Sequence, residues 1–257
     1  MDILCSKADG ILTIQFNRPE RKNAITSKMY QSMADALTDG EQDAAVRAIL
    51  IIGQPEIFTA GNDLDDFMKS AAPTDSTVER PVFQFMQALS GASKPVVAAV
   101  SGAAIGIGTT LLMHCDLVYA ADNAKFSMPF VQLGLCPEFA SSLLFAQLAG
   151  APRAAEKLML GEPFLAQEAL QMGLVAKVLP LGELIPFARQ QAAKLVALPA
   201  ASIRATKRLM KSSRSAPIKT AMAEENALFK AMLAAPEAQE AFTAFFEKRK
   251  PDFTKFA

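Results

Sequence analysis

Val100-Ser101-Gly102-Ala103-Ala104-Ile105-Gly106-Ile107-Gly108-Thr109-Thr110-Leu111-Leu112-Met113-His114-Cys115-Asp116 is the stretch on which the fold turns. Just before it, Lys94-Pro95-Val96-Val97-Ala98-Ala99-Val100 is a short apolar run rich in β-branched residues, which reads as a buried strand. Glycines follow at 102, 106 and 108, and then Leu111, Leu112 and Met113 continue as an apolar helix. A strand, a glycine-rich turn and a helix start make a backbone cradle. N–H groups face a ligand there, and the helix N-terminus adds positive partial charge. Such a cradle suits a group that is, or becomes, negative. A tight packing turn between strand and helix gives the same pattern, so the rest of the chain must decide.

A chain of 257 residues can form one large α/β domain, or one domain with a small appendage, and can bury a substantial core. Hydrophobic residues make up 51%, yet no apolar run approaches the roughly 20 residues of a membrane span. Lys plus Arg balances Asp plus Glu at 26 each, which argues against a nucleic-acid or membrane-surface binder. Cys5, Cys115 and Cys136 are odd in number and lack metal-ligand spacing, and one histidine cannot complete a metal site. With no signal-peptide pattern at Met1–Lys7 and no peroxisomal address in Lys255-Phe256-Ala257, the reading is a reduced, cytoplasmic setting.

Ile3–Ser6 and Ile11–Phe16 read as strands joined at Asp9-Gly10, a hairpin signal. Asn17–Ala24 is a polar, basic loop. Thr26 can cap a helix in which Met29, Met33 and Leu37 share one face. Val46–Ile52 is a near-continuous apolar strand of the parallel-sheet kind. Ile57–Leu64 reads as a turn into a short helix, Ala71–Glu79 as a polar loop, and Val82–Leu89 as a helix. Asp116–Ala121 and Lys125–Ser127 read as strands, Leu133–Glu138 as a loop and Ala140–Leu148 as a helix. Pro152 opens another helix from its first position. Beyond it the chain is mostly helical, with an extended stretch at Val175–Leu179 and with Pro180, Pro186, Pro199, Pro217 and Pro236 punctuating the helices. The reading is an α/β core followed by helices that cover it or meet other subunits.

The glycine turn is similar to the pyrophosphate turn of the short-chain dehydrogenases, which bind NAD(P). That turn belongs after the first strand of a domain, and the family needs a Tyr with a Lys four residues later. Here Tyr30 is followed by Ala34 and Tyr119 by Asn123, so the dyad is absent. The turn also resembles half of the oxyanion hole in the crotonase (enoyl-CoA hydratase/isomerase) superfamily. Phe58-Thr59-Ala60-Gly61-Asn62-Asp63-Leu64 resembles the other half. Asn17-Arg18-Pro19 with Lys22-Asn23-Ala24 resembles the family's N-terminal element, and Phe245–Phe253 its C-terminal one. Four modest motifs in the right order over nearly the whole chain are specific together.

The resemblance implies a spiral of ββα turns with a C-terminal helical trimerisation region: residues 1–195 as the core with the acyl-CoA site, and 196–257 as the helical region. It implies a coenzyme A thioester substrate, no separate cofactor, no metal, and a homotrimer or dimer of trimers. A thioester is acidic at C2 only when its enolate is stabilised, and two fixed N–H donors at the thioester oxygen supply that. The resemblance assigns them to Asn62 and Ile107. Lys22, Ala24, Ala60, Gly61, Asp63, Leu64, Gly106, Phe130, Phe245 and Lys248 fall at binding positions, with the two lysines facing coenzyme phosphates. In isolation each lysine reads as an ordinary surface residue, and Phe245 as a helix-packing one.

Family hydratases use two glutamates, one two residues after the last glycine of the turn and one after the proline that ends the short strand. Here those positions hold Thr110 and Phe130, and neither side chain takes a proton from water. A carboxylate appears further on, in Gly134-Leu135-Cys136-Pro137-Glu138, which resembles the catalytic element of the 3,2-trans-enoyl-CoA isomerases. Alone, a loop glutamate reads as a solvated cap. In this context Glu138 is the candidate acid/base, and Leu135, Phe130 and Phe139 should desolvate it and raise its pKa. Asp63 and Asp116 read as structural, and His114 as packed or capping. The favoured reading is an enoyl-CoA isomerase in fatty-acid or related acyl-CoA breakdown. Hydration with a displaced base, and a catalytically silent acyl-CoA-binding chain, remain the alternatives.

Overall fold

The computed structural model describes residues 1–66 and 80–256. The Ala71–Glu79 loop therefore lies outside the described residues. Asp9 (φ 51°) and Gly10 (φ 76°) both take left-handed conformations, the pair that a tight hairpin with right-handed twist requires. They join β1 (Ile3–Ala8) to β2 (Ile11–Phe16) antiparallel. From β2 the sheet continues in parallel through β3 (Ala48–Ile52), β5 (Val96–Val100), β7 (Leu117–Ala121) and β10 (Lys177–Leu179). Every residue of β3 and β5 is buried, as the unbroken apolar runs require of strands covered on both faces.

A second sheet of four strands lies in the order β4 (Ile57–Thr59), β6 (Ala103–Ile105), β8 (Lys125–Ser127) and β9 (Phe164–Leu165). Of these only β8 is read from the sequence. Segments 57–64 and 100–108 read as turns, yet each contains a three-residue strand, too short for any periodicity to register. Successive passes of the chain give one strand to each sheet, β3 then β4, β5 then β6, β7 then β8. This is the ββα spiral.

Helices cover both faces of the larger sheet. On one side α1 (Ser27–Gln42), capped by Thr26 Oγ1 accepting from the Met29 N–H at 3.3 Å, buries Met29, Tyr30, Met33 and Leu37. It packs on α2 (Pro81–Gly91), which buries Phe85, Met86 and Leu89, and both join a core with Ile49, Ile51, Val96, Ala98 and Val100. The alternate residues Leu50, Ile52, Val97 and Ala99 face the other way, onto Leu184, Ala188 and Ala192 of α7 (Leu181–Ala197). Lys94, only 1% exposed, closes the C-terminus of α1 by donating to Gly40 O (2.6 Å) and Asp43 O (2.7 Å).

The glycine turn leads into α3 (Ile107–Thr110), and Leu111–His114 continue as a 3-10 helix rather than the α-helix expected. Then come α4 (Ser141–Ala149), α5 (Ala151–Met159) and α6 (Ala166–Gln171). Pro152 is the second residue of α5, not its first. Pro186 and Pro217 do not separate helices as expected. Pro186 lies inside α7, and Pro217 inside the 34-residue α8 (Ala200–Leu233). A proline inside a helix removes a hydrogen bond at about 3 kcal/mol, so tertiary anchors must hold these helices. In α7 the anchors are Leu184 and Ala188. In α8 the only buried residues are Lys207 and Glu225, one on each side of Pro217.

Lys207 Nζ lies 2.7 Å from Asp116 Oδ2 and also donates to Lys94 O at 2.7 Å. Lys211 Nζ sits 2.9 Å from Asp116 Oδ1. Asp116 is the structural hub expected, since its Oδ2 also accepts the Val96 N–H at 2.8 Å. The expected division at 195/196 falls in the last turn of α7. Finally α9 (Pro236–Phe246) returns to pack on the turn Val131–Leu133, burying Ala238, Ala241 and Phe242.

Candidate active site

The N-terminal loop is laced onto the 57–63 segment. Asn23 Nδ2 donates to Ile57 O and Phe58 O, both at 3.1 Å, while its Oδ1 accepts the Arg18 N–H at 2.8 Å. Thr59 Oγ1 donates to Asn23 O at 2.7 Å, and the Ala60 N–H to Lys22 O at 3.0 Å. Arg18 Nη1 bridges Ala24 O (2.9 Å) and Asp63 Oδ2 (2.7 Å). Burial pulls the Asp63 carboxyl upward, but Arg18 and the Asp66 N–H outweigh it and hold the group below the usual carboxylate range. Lys22, Ala24, Ala60, Gly61 and Asp63 thus come together, with Lys22 exposed at φ 52°. Leu64, half-buried, packs on the main core.

Two glycines let this loop meet the glycine turn. A Cβ on Gly61 would lie 2.8 Å from Ile105 O, and one on Gly108 would lie 2.5 Å from Thr59 Cγ2. Gly106 is the N-cap of α3, which makes Ile107 its first residue. Asn62 pairs with Ile25 only through its neighbours, since the Ile25 N–H bonds to Gly61 O and the Asp63 N–H to Ile25 O. Among the described residues neither the Asn62 nor the Ile107 N–H donates to a protein acceptor. The two segments that carry these N–H groups are in contact.

Glu138 is 5% exposed, and its Oε1 is buried without a hydrogen-bond partner among the described residues. Burial first, and then the charge of Glu225, push its carboxyl up to about 8. The expected upward shift is present, and Leu135, Phe130 and Phe139 are all buried, but Glu225 escaped the sequence reading. Tyr30 escaped it too. Its hydroxyl donates to Asn62 Oδ1 at 2.5 Å, and burial, followed by the charges of Glu138 and Asp66, holds the phenol well above its ordinary value. Tyr30 is therefore bonded to Asn62 and feels the charge of Glu138. On an apolar helix stripe it reads as core, and the only cue in the sequence is that a buried tyrosine hydroxyl needs a partner.

Thr110 is fully buried, with Oγ1 unpaired among the described residues, and Phe130 is 4% exposed, edge-on to Phe229 with centroids 6.5 Å apart. His114 is packed, as expected. It stacks on Phe139 with centroids 3.9 Å apart, Nε2 lies 2.8 Å from Phe139 O, and burial lowers its pKa to about 4. At neutral pH the ring is uncharged, and the contact assigns its proton to Nε2. Phe245 and Lys248 sit at the end of α9, both exposed. No hydrogen bond, ion pair or ring contact among the described residues ties them to the Asn62 or Ile107 loops. No group of described residues could hold a metal ion.

A family model described as enoyl-CoA hydratase/isomerase matches residues 6–255. The chain belongs to that family. A crystal structure of an enoyl-CoA hydratase/isomerase from Pseudoalteromonas atlantica is 37% identical, superposes with a TM-score of 0.94 and covers 99% of this chain and 100% of that one. The chain is 34% identical to enoyl-CoA delta isomerase 2 of Rattus norvegicus, over 97% of its own length and 64% of the rat protein. It is 32% identical to crotonyl-CoA hydratase of Syntrophomonas wolfei, over 98% and 97% respectively. Isomerases and hydratases of the family thus stand at similar distances. The protein is an enzyme of the enoyl-CoA hydratase/isomerase family, and an acyl-CoA thioester substrate is consistent with that family.

Proposed function

We propose that the protein is an isomerase that moves the double bond of a 3-enoyl-CoA to the trans-2 position, in acyl-CoA breakdown. The observation that carries this reading is Glu138: a buried carboxyl with an oxygen unpaired among the described residues and a pKa raised to about 8, while Thr110 and Phe130 occupy the positions where family hydratases carry glutamates. In the reaction, the thioester oxygen receives the N–H groups of Asn62 and Ile107. The Glu138 carboxylate removes a proton from C2, the negative charge spreads over a dienolate held by those donors, and the carboxylic acid returns the proton at C4. One base suffices, and no water takes part.

Lys22, and Lys248 from a neighbouring subunit, would meet the coenzyme phosphates. Ala24, Ala60, Gly61, Asp63, Leu64, Gly106, Phe130 and Phe245 would line the acyl-CoA path. The assembly is a homotrimer or a dimer of trimers in the cytoplasm. A second reading, hydration with Glu138 as the base, draws on the likeness to crotonyl-CoA hydratase and on the unpaired Thr110 hydroxyl, which could order a water. The test is Glu138→Gln. It should lower kcat on a 3-enoyl-CoA by at least about a hundredfold, the usual worth of a general base, with substrate binding nearly unchanged. Near-normal turnover would remove Glu138 from the mechanism.

A further inference from the structure

We propose that Glu225, on α8, is the positioning residue for Glu138, its carboxylate gripping the backbone just past the Glu138 turn so that the Glu138 side chain stays aimed into the buried site. This rests on the reading of Glu138 as the base.

The turn needs such a grip. Phe139 and Ala140, the two residues after Glu138, are both left-handed, at φ 59° and 56°. For residues with a Cβ that conformation costs about 1–2 kcal/mol each, and it persists only where neighbours impose it. The N-cap of α4 is Ala140, which has no side chain able to satisfy the helix's first N–H groups. Glu225 does so from 85 residues away. Oε2 accepts the Ala140 N–H at 2.5 Å, and Oε1 accepts the Ser142 N–H at 3.0 Å and the Ser142 hydroxyl at 2.5 Å. The Cys136 thiol also reaches Glu225 O, at 3.7 Å. On the opposite side, His114 donates to Phe139 O and stacks on the Phe139 ring. Residues on both sides of Glu138 are therefore clamped, while Glu138 Oε1 has no partner among the described residues.

The same arrangement divides the protonation states. Burial raises the Glu225 carboxyl, but three donors stabilise its charge, whereas Glu138 has only burial and a neighbouring anion. The Glu225 carboxyl stays raised overall even so, and its charge acts on Glu138, whose own carboxyl burial and that charge push up to about 8. The other titratable groups facing Glu138 are Tyr30 from α1 and Cys136 within the loop, with neutral His114 one residue along. None of them carries charge at neutral pH, so Glu225 sets the local field.

The experiment uses the whole protein, with Glu225→Gln beside Glu138→Gln. Glu138 is titrated directly by carboxyl 13C NMR, its signal identified by its loss in Glu138→Gln, and kcat and KM on a 3-enoyl-CoA are measured across pH. Glu225→Gln should move the Glu138 midpoint down by about half a pH unit or more. It should also lower kcat roughly ten- to a hundredfold with little change in KM, as expected when a base is mis-aimed. Adding it to Glu138→Gln should cost no further turnover. A cap that only stabilises α4 would lower thermal stability and leave the Glu138 midpoint where it was, and that outcome overturns the proposal. If Glu138→Gln keeps its turnover, the base assignment fails, while the NMR midpoint still decides the role of Glu225. Should Glu225→Gln not fold, Ser142→Ala removes one donor and keeps the carboxylate. Its kcat must then fall with KM preserved, and an unchanged kcat overturns the proposal.

Discussion

The Tyr30 hydroxyl donates to Asn62 Oδ1 at 2.5 Å, and the same phenol lies within the field of Glu138. One residue of the first helix thus joins the loop offering a backbone N–H to the residue proposed to move the proton. With the Asn62 side chain engaged, its peptide is held in one orientation. Tyr30→Phe keeps the ring and its packing on Phe85, at 5.6 Å, but takes the donor from the half-buried Asn62 amide oxygen. The expected result is a loss of about 1–3 kcal/mol in stability and a fall in kcat/KM of about tenfold, read by denaturant unfolding and steady-state kinetics. Unchanged kinetics would detach Tyr30 from the site.

Glu138 gives the enzyme a pH signature. As a base it must be ionised, and its carboxyl is pushed up to about 8, so kcat/KM should climb with pH and level off above that value. Stability moves the other way. The folded pKa is raised above the ordinary 4.5, so the folded state binds more protons between pH 4.5 and 8 and loses stability across that window as pH rises. Glu138→Gln removes this titration. The variant should melt at a higher temperature than the parent at pH 8 and at nearly the same temperature at pH 4.5, by calorimetry.

Much of this was legible in the sequence because the carriers are local. The Asp9-Gly10 hairpin, the Thr26 cap, the buried runs of β3 and β5, and the two glycine-bearing loops announce themselves within a few residues. The second sheet does not, since β4 and β6 are three residues each and are defined by each other rather than by their own pattern. Glu225 and Tyr30 were invisible for a related reason. Glu225 lies beside Glu224 on a helix with almost no buried face, and its meaning comes only from Ala140 and Ser142 across the fold. The prolines misled because Pro186 and Pro217 are overridden by anchors that the local sequence does not display.

His114 links the glycine turn to the Glu138 loop, since the 3-10 helix it ends follows directly on α3 and its ring meets Phe139. Its pKa is lowered from 6.5 to about 4 by burial, so the folded state binds fewer protons than the unfolded chain between those values. Stability should then fall as pH drops from 6.5 toward 4. His114→Phe keeps an aromatic ring against Phe139 but leaves Phe139 O unpaired. It should cost about 1–3 kcal/mol at pH 7.5 and should flatten the acid loss, which chemical denaturation at a series of pH values would read.

The arm helix α8 exposes Leu209 (70%) and Met210 (68%), and α9 exposes Phe245 and Phe246. In the proposed assembly a second copy of the chain would cover these residues. Sedimentation at micromolar concentration should give trimers or hexamers, and Leu209→Glu should dissociate them. A stable monomer of the unmodified protein would contradict both the assembly and the placement of Lys248 in a neighbour's site.

Isomerisation and hydration ask for different groups at the site. Hydration needs a carboxylate to orient water and a group to protonate C2, and the positions that supply them in family hydratases hold Thr110 and a buried Phe130. The direct measurement is kcat/KM of the unmodified protein on crotonyl-CoA and on a 3-enoyl-CoA of about six to ten carbons. The expected result is isomerisation at least about a hundredfold above hydration, roughly 2.7 kcal/mol of transition-state stabilisation. A hydration value equal to or above the isomerisation value would contradict the assignment and make the protein a hydratase of the same family.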